Sequence, residues 1–171
     1  MARRTGKKAT QERLYIAYGS NLNLPQMERR CPTAKVVGTS EIKNYELLFH
    51  GVATVEPKEG ASVPVLLWKI EALDEAALDR YEGWPHLYRK EMMDVELEGK
   101  SISAMVYVMN DVRFLGMPSE SYYKVIEEGY QTAGFDMAVL EHALERTEEM
   151  MKQEESQYQQ QRFHDLDGFH L

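Results

Sequence analysis

The hydrophobic period changes along this chain, and no other feature restricts its fold as much. From Leu14 to Met109 apolar residues run unbroken or alternate, as in strands, whereas from Ser119 they recur at helical spacing. "LYIAY" (Leu14 to Tyr18) reads as a buried first strand. β-rich segments follow at Lys35–Gly38, Ile42–Gly51, Ala53–Val55 and Val63–Ile70. Pro64 lies in the last of these, so its missing N–H requires a strand start, an edge or a bulge. In "MDVEL", Met93, Val95 and Leu97 alternate with acids. In "SISAMVYVM", Ile102, Ala104, Val106 and Val108 share one face, which leaves Met105 and Tyr107 on the other, a face able to line a cavity.

Short helices interrupt the strands. "NLPQMERRCP" carries Asn23 as N-cap, Pro25 in the first turn and Pro32 as a stop. "LDEAALDRYEGWP" reads as a helix capped by Asp74 and closed by Gly83 and Pro85. Later, Tyr123, Ile126, Tyr130 and Ala133 form a stripe ended by Gly134, and Asp136 caps a last helix with Met137, Leu140, Leu144 and Met151 on one face. The order predicts an α+β fold in one domain over residues 14–151: a curled sheet or small barrel, then two C-terminal helices. A polar tail over 152–171 and a basic flexible arm over 1–13, with Arg3, Arg4, Lys7, Lys8 and Arg13, flank it.

Bulk properties narrow the function. With 171 residues, 43% apolar and 28% charged, the chain has the composition of a soluble globular protein, and no apolar run approaches a membrane span. The net charge of −8 argues against a nucleic-acid partner. The lone Cys31 cannot form an internal disulfide, which fits a reducing cytoplasm. Oligomeric state is not legible.

Two features carry chemistry. Glu82 stands at the C-terminal end of a helix, where the dipole is negative and a carboxylate is disfavoured. That position, with burial beneath Trp84 and Tyr88, raises its pKa toward the range of a general acid/base; the plainer reading is a surface Glu tolerated at small cost. "YGSN" (Tyr18, Gly19, Ser20, Asn21) is either an ordinary turn or a concave run of backbone N–H groups suited to an anion. Cys31 with His50 is a weaker nucleophile–base pair, and His164, Asp165, Asp167 and His170 match no strong metal-ligand spacing. Gly60 and Gly99 read as hairpin turns, and there is no phosphate loop or dinucleotide fingerprint.

Taken in order, "YGSN", "RCPTAKVVG" with "NYELLF", "GVATVEP" leading to "VLLWKI", "LDRYEGWPHLYRK" and "AMVYVM" resemble the γ-glutamylcyclotransferase-like (AIG2-like) family over Leu14 to Glu145. The resemblance implies a small mixed β-barrel of about six or seven strands with short flanking helices. It also implies release of 5-oxoproline from a small γ-glutamyl substrate by attack of the substrate's own α-amine, with no metal, nucleotide or other cofactor. Glu82 then falls at the family's general acid/base. Tyr18, Gly19, Ser20, Asn21 and Leu22 match the loop that grips the glutamyl moiety, and Tyr88 and Tyr123 match the aromatics that close the pocket. Pro64-Val65 departs from relatives with a glycine there. A non-catalytic binding module using the same cavity is the alternative.

Overall fold

The computed structural model describes residues 12–111 and 114–167. Residues 1–11, with Arg3, Arg4, Lys7 and Lys8, and also His170, lie outside them. The strands are β1 (Arg13–Ala17), β2 (Lys35–His50), β3 (Val52–Ile70), β4 (Tyr88–Leu97) and β5 (Lys100–Met109). The helices are α1 (Leu24–Arg30), α2 (Ala72–Glu82), α3 (Glu120–Ala133) and α4 (Met137–Asp167). The sheet has five strands in the order β2-β3-β1-β5-β4. β1 is central, antiparallel to β3 with Tyr15 opposite Trp68, and parallel to β5 with Ile16 opposite Val106. Its buried run Tyr15-Ile16-Ala17 accounts for the unbroken apolar text, since both faces of a central strand are covered.

The α+β class is as expected, but the barrel of six or seven strands is corrected to an open sheet of five. The segments at Lys35–Gly38 and Ile42–Gly51 merge into β2, which ends at His50, and those at Ala53–Val55 and Val63–Ile70 merge into β3. The pairing runs unbroken from Gly38 to Lys43, and only the interval between Val55 and Val63 carries a register shift, at Lys43/Tyr45. The edge strands β2 and β4 approach without a ladder: the Ser40 hydroxyl donates to the Glu96 carbonyl (2.5 Å), and Leu97 fills the space beside Gly38. Gly99 does turn a hairpin, with Glu98, between the paired Leu97 and Lys100. Gly60 instead sits in a bulged excursion of β3, donating to Asn44 Oδ1 (3.1 Å). Pro64 lies where β3 runs past the end of β1, so only the β2 side requires a ladder there.

The caps explain most helix boundaries. Asn23 accepts from the Gln26 N–H (3.1 Å), and Ser119 from the Tyr122 N–H (3.2 Å). Asp74 is not the N-cap of α2: Glu71 is, and the Asp74 carboxylate reaches back to the Glu71 N–H (3.0 Å). Gly83 and Gly134 end α2 and α3 in the left-handed conformation, with φ of 65° and 72°. α4 continues past Met151 to Asp167, because the Gln, Glu, Lys and Arg beyond it are good helix formers with no Gly or Pro among them. Its outer part is exposed, including Tyr158 and Phe163. α3 lies against the turn after β1, where Gly129 meets Leu22, and α4 is tied to β2 through Thr147, whose hydroxyl accepts the Phe49 N–H (3.1 Å).

The Gly129 contact is testable. A Cβ at position 129 would stand 2.6 Å from Leu22 Cβ and 2.9 Å from its carbonyl carbon, so α3 must move off the turn. Gly129→Ala is therefore expected to lower the free energy of unfolding in urea by about 1–3 kcal/mol; an unchanged midpoint would show that α3 does not seat on Leu22.

Candidate active site

β1 ends at Ala17, and the chain leaves the sheet through Tyr18 and Gly19 into a 3₁₀ turn, Ser20–Leu22. β3 and β5 continue on either side, so a gap opens beyond the strand's end. It holds a cavity of about 230 Å³ lined by Tyr15, Tyr18, Gly19, Ser20, Asn21, Val52, Ala53, Tyr81, Glu82, Leu87, Tyr88, Tyr107 and Tyr122. Backbone groups facing the gap are taken up by tyrosines. Tyr18 donates to the Tyr107 carbonyl (2.6 Å) and Tyr88 to the Ala53 carbonyl (2.6 Å), while the Tyr122 hydroxyl accepts the Ala53 N–H (3.0 Å).

Glu82, the last residue of α2, is the acid in this lining. Burial pushes its carboxyl up to about 7, and the Arg30 guanidinium opposes that rise. Asn21 Nδ2 donates to Glu82 Oε1 (3.3 Å) and to the Tyr15 hydroxyl (2.8 Å). Arg30 donates to Asn21 Oδ1, and Ser20 Oγ bonds the Tyr81 hydroxyl (2.8 Å). Burial raises the pKa of Tyr15, Tyr18, Tyr88, Tyr107 and Tyr122, so these side chains stay neutral. Gly19 lets the chain pass: a side chain there would project toward Ala53 and the Tyr122 hydroxyl. The turn spends the N–H groups of Leu22 and Asn23 on Gly19 and Ser20 carbonyls (3.0 and 3.1 Å). Those of Ser20 and Asn21, at its start, have no partner within the turn.

The structure brings together Tyr18, Gly19, Ser20, Asn21, Glu82 and Tyr88. Leu22 and Tyr123 are corrected. Leu22 is buried under Gly129, and Tyr123 packs on Phe49 with ring centroids 6.3 Å apart; the neighbouring Tyr122 lines the cavity instead. Trp84 does not cover Glu82 either: it is 42% exposed and lies over the Lys90 ammonium (4.0 Å). Cys31 and His50 do not form a catalytic pair. The Cys31 thiol is buried against the Asp74 carbonyl and pushed up to about 11 by burial, while His50 bonds Glu56 (2.9 Å) beside a different cavity. His164 and Asp165 are exposed on α4, and no cluster of three metal-ligating side chains occurs among the described residues. Tyr15, Tyr81, Tyr107 and Arg30 also reach the site or its partners; for Tyr107 the alternation of β5 was a signal, for the others there was none.

The family described as gamma-glutamyl cyclotransferase, AIG2-like matches residues 15–131, a span that includes the cavity lining. The chain belongs to that family. Gamma-glutamylcyclotransferase of Bos taurus is 29% identical over 138 residues, covering 72% of this chain and 73% of that protein. Its Homo sapiens counterpart is 28% identical over the same shares. A solved gamma-glutamyl cyclotransferase, 24% identical, superposes with a TM-score of 0.70 over 84% of this chain and 99% of its own. YkqA of Bacillus subtilis, 20% identical, does so with a TM-score of 0.64 over 85% of this chain and 56% of its own. These two structures establish the shared fold. No helix among the described residues is long and apolar enough to cross a membrane.

The raised carboxyl links stability to pH. Its pKa is about 7 when folded against 4.5 as a free side chain, so the unfolded chain ionises first as pH rises. The contribution is fully present below pH 4.5 and lost as pH passes 7. Glu82→Gln, which cannot ionise, is expected to be more stable than wild type at pH 8, by on the order of 1–3 kcal/mol, with the gap closing toward pH 4.5. A pH-independent difference in urea midpoints would contradict a buried, raised carboxyl.

Proposed function

We propose that this chain is an enzyme that releases 5-oxoproline and a free amine or amino acid from a γ-glutamyl compound, with Glu82 as general acid/base. The observation that carries the reading is a single half-buried carboxyl of pKa about 7 in a cavity otherwise lined by uncharged groups, beside the turn at Gly19–Asn21.

A γ-glutamyl α-amine is largely ammonium at neutral pH and cannot attack. The Glu82 carboxylate takes its proton, and the freed nitrogen closes a five-membered ring on the γ-carbonyl carbon. The γ-amide C–N bond then breaks as the carbonyl re-forms: the proton held by Glu82 goes to the departing nitrogen, and Glu82, a carboxylate again, takes the second proton from the ring nitrogen and passes it to the released amine. Nucleophile and electrophile belong to one molecule, so the pocket has mainly to hold the bent conformer, an arrangement with effective molarities of order 10⁵ M or more. The Ser20 and Asn21 N–H groups meet negative charge there, either the α-carboxylate or the developing oxyanion.

Cavity size supports the division of the substrate. At about 230 Å³ it lies below the roughly 300–1,000 Å³ of sites that enclose drug-sized ligands. It suits a glutamyl moiety alone, with the leaving group at the rim by Val52, Leu87 and the half-exposed Tyr81. Buried tyrosines suit such a pocket, because they offer hydroxyls without adding a charge that would compete with Glu82.

Incubation with a panel of γ-glutamyl amino acids, amines and ε-lysyl compounds, following 5-oxoproline, tests this reading. The acid limb of kcat/KM is expected to fall below pH 7, because the base must be ionised to accept the proton. Glu82→Gln keeps the side-chain size but not the proton, and is expected to lower kcat by about 10²–10⁴-fold. An active Glu82→Gln protein would sink the assignment. Saturable binding of a γ-glutamyl compound with no 5-oxoproline formed would favour the non-catalytic binding module.

A further inference from the structure

Arg30 touches the candidate site only through other residues. It is the last residue of α1 and does not line the cavity. Three partners fix its guanidinium: the Tyr81 ring, 3.4 Å from centroid to Cζ; Gln26 Oε1, 3.2 Å from Nη2; and Asn21 Oδ1, which accepts from Nη1. A stacked, doubly hydrogen-bonded guanidinium has little freedom left, and its planar fork cannot be copied by a lysine.

The contact with Asn21 has a directional consequence. A guanidinium only donates, so the oxygen of the Asn21 amide must face it. The Nδ2 group is thereby turned the other way, where one hydrogen goes to the Tyr15 hydroxyl (2.8 Å) and one to Glu82 Oε1 (3.3 Å). Were the amide reversed, its oxygen would face the Glu82 carboxylate. The Asn21 carbonyl is held separately by Trp68 Nε1 (3.2 Å), so the backbone beneath the amide is anchored as well.

The charge of Arg30 has a second consequence. Glu82 is faced by Tyr15 from β1, Tyr18 just beyond its end, Tyr81 beside it on α2, Tyr88 from β4, Tyr107 from β5 and Tyr122 from α3. These are neutral hydroxyls, so Arg30 is the cation acting on the carboxyl among the described residues. We propose that Arg30 is a positioning residue for Glu82: it sets the direction of the Asn21 amide that holds the carboxyl and supplies the charge that keeps the carboxylate form accessible. This rests on the reading of Glu82 as the acid/base.

Three substitutions change orientation and charge in different combinations. Arg30→Lys keeps the charge and a donor-only end but loses the planar fork; Arg30→Gln loses the charge and, with an amide that both donates and accepts, no longer dictates the direction of Asn21; Arg30→Met loses the charge and the hydrogen bond. The readouts are the ¹³C-carboxyl titration of Glu82, assigned with Glu82→Gln, and the pH profile of kcat/KM for 5-oxoproline release. In Arg30→Gln and Arg30→Met the titration midpoint is expected to rise from about 7 by about one unit, and the acid limb of kcat/KM to move with it. In Arg30→Gln and Arg30→Met kcat on the alkaline plateau also falls about tenfold or more, because the amide is free to turn. In Arg30→Lys the midpoint stays near the wild-type value and the plateau falls less than in Arg30→Met, because a donor-only ammonium still requires the Asn21 oxygen.

Unmoved midpoints in Arg30→Gln and Arg30→Met would overturn the proposal, as would a loss of kcat in these two variants that is uniform at every pH, the mark of a merely structural arginine. Arg30→Gln, with a hydrogen-bonding end, covers the case in which Arg30→Met does not fold. The titration needs no turnover. If no γ-glutamyl compound yields 5-oxoproline, the proposed reaction fails while the Arg30–Glu82 coupling is still read; if turnover is seen and the midpoint does not move, only the role of Arg30 falls.

Discussion

Holding the Glu82 carboxyl out of bulk water works against its ionisation, and the surrounding structure sets how far that penalty goes. A carboxyl buried without partners would stay protonated well above neutrality and be of no use as a base. One exposed at a helix end would remain ionised throughout and return its proton poorly. The position observed lies between these, with burial raising the pKa to about 7 against the opposing charge of Arg30. A tyrosine lining keeps the balance simple, since it adds no charge beside the carboxyl.

The cavity exists because β1 stops. β3 and β5 are joined through β1 at Leu66–Ile70 and Met105–Val106, and beyond Ala17 that mediation is missing. Thr54 Oγ1 accepts the Met109 N–H (3.1 Å) and so links β3 to β5 on the far side of the gap. Between these two ties, strand backbone is left with groups to satisfy, and Tyr18, Tyr88 and Tyr122 satisfy them with hydroxyls. The tyrosines thus replace a missing length of strand and wall the site at once. Buried backbone groups must find partners, and a side chain long enough to reach across leaves space that a strand would fill.

This arrangement explains what was legible in the sequence. A polar turn after a buried strand and a Glu before a Gly terminator are local features, so Tyr18–Asn21 and Glu82 could be singled out without knowing what lies opposite them. Tyr122 and Tyr123 are adjacent on a helix and about 100° apart around it. The apolar stripe through Tyr123, Ile126 and Tyr130 shows which way the core lies, but not that Tyr122 faces a cavity formed by β1 and β3. The strand count failed because the polar stretches over 38–41 of β2 and 56–62 of β3, which remain in the strands, look like breaks when only apolar alternation is read. Arg30 gave no signal, because a cation in the last turn of a helix is already explained by the dipole. Its contact with Tyr81 joins residues far apart in sequence.

The same long-range bracing accounts for Cys31 and Asp74, which have the look of reactive groups but serve the geometry. Asp74 is buried, yet its carboxylate accepts from the Thr33 hydroxyl (2.5 Å) and the Glu71 N–H (3.0 Å), and its carbonyl faces the Cys31 thiol. These bonds pin the segment after α1 to the first turn of α2. Eight residues of helix, about 12 Å at 1.5 Å per residue, then carry Glu82 from Asp74 to the cavity. Both ends of the Arg30–Asn21–Glu82 chain are therefore referred to one anchor, and the helix between them is stiff. A site whose parts are about sixty residues apart keeps its hydrogen-bond geometry because the intervening β2 and β3 hairpin does not have to hold it; the α1–α2 junction does.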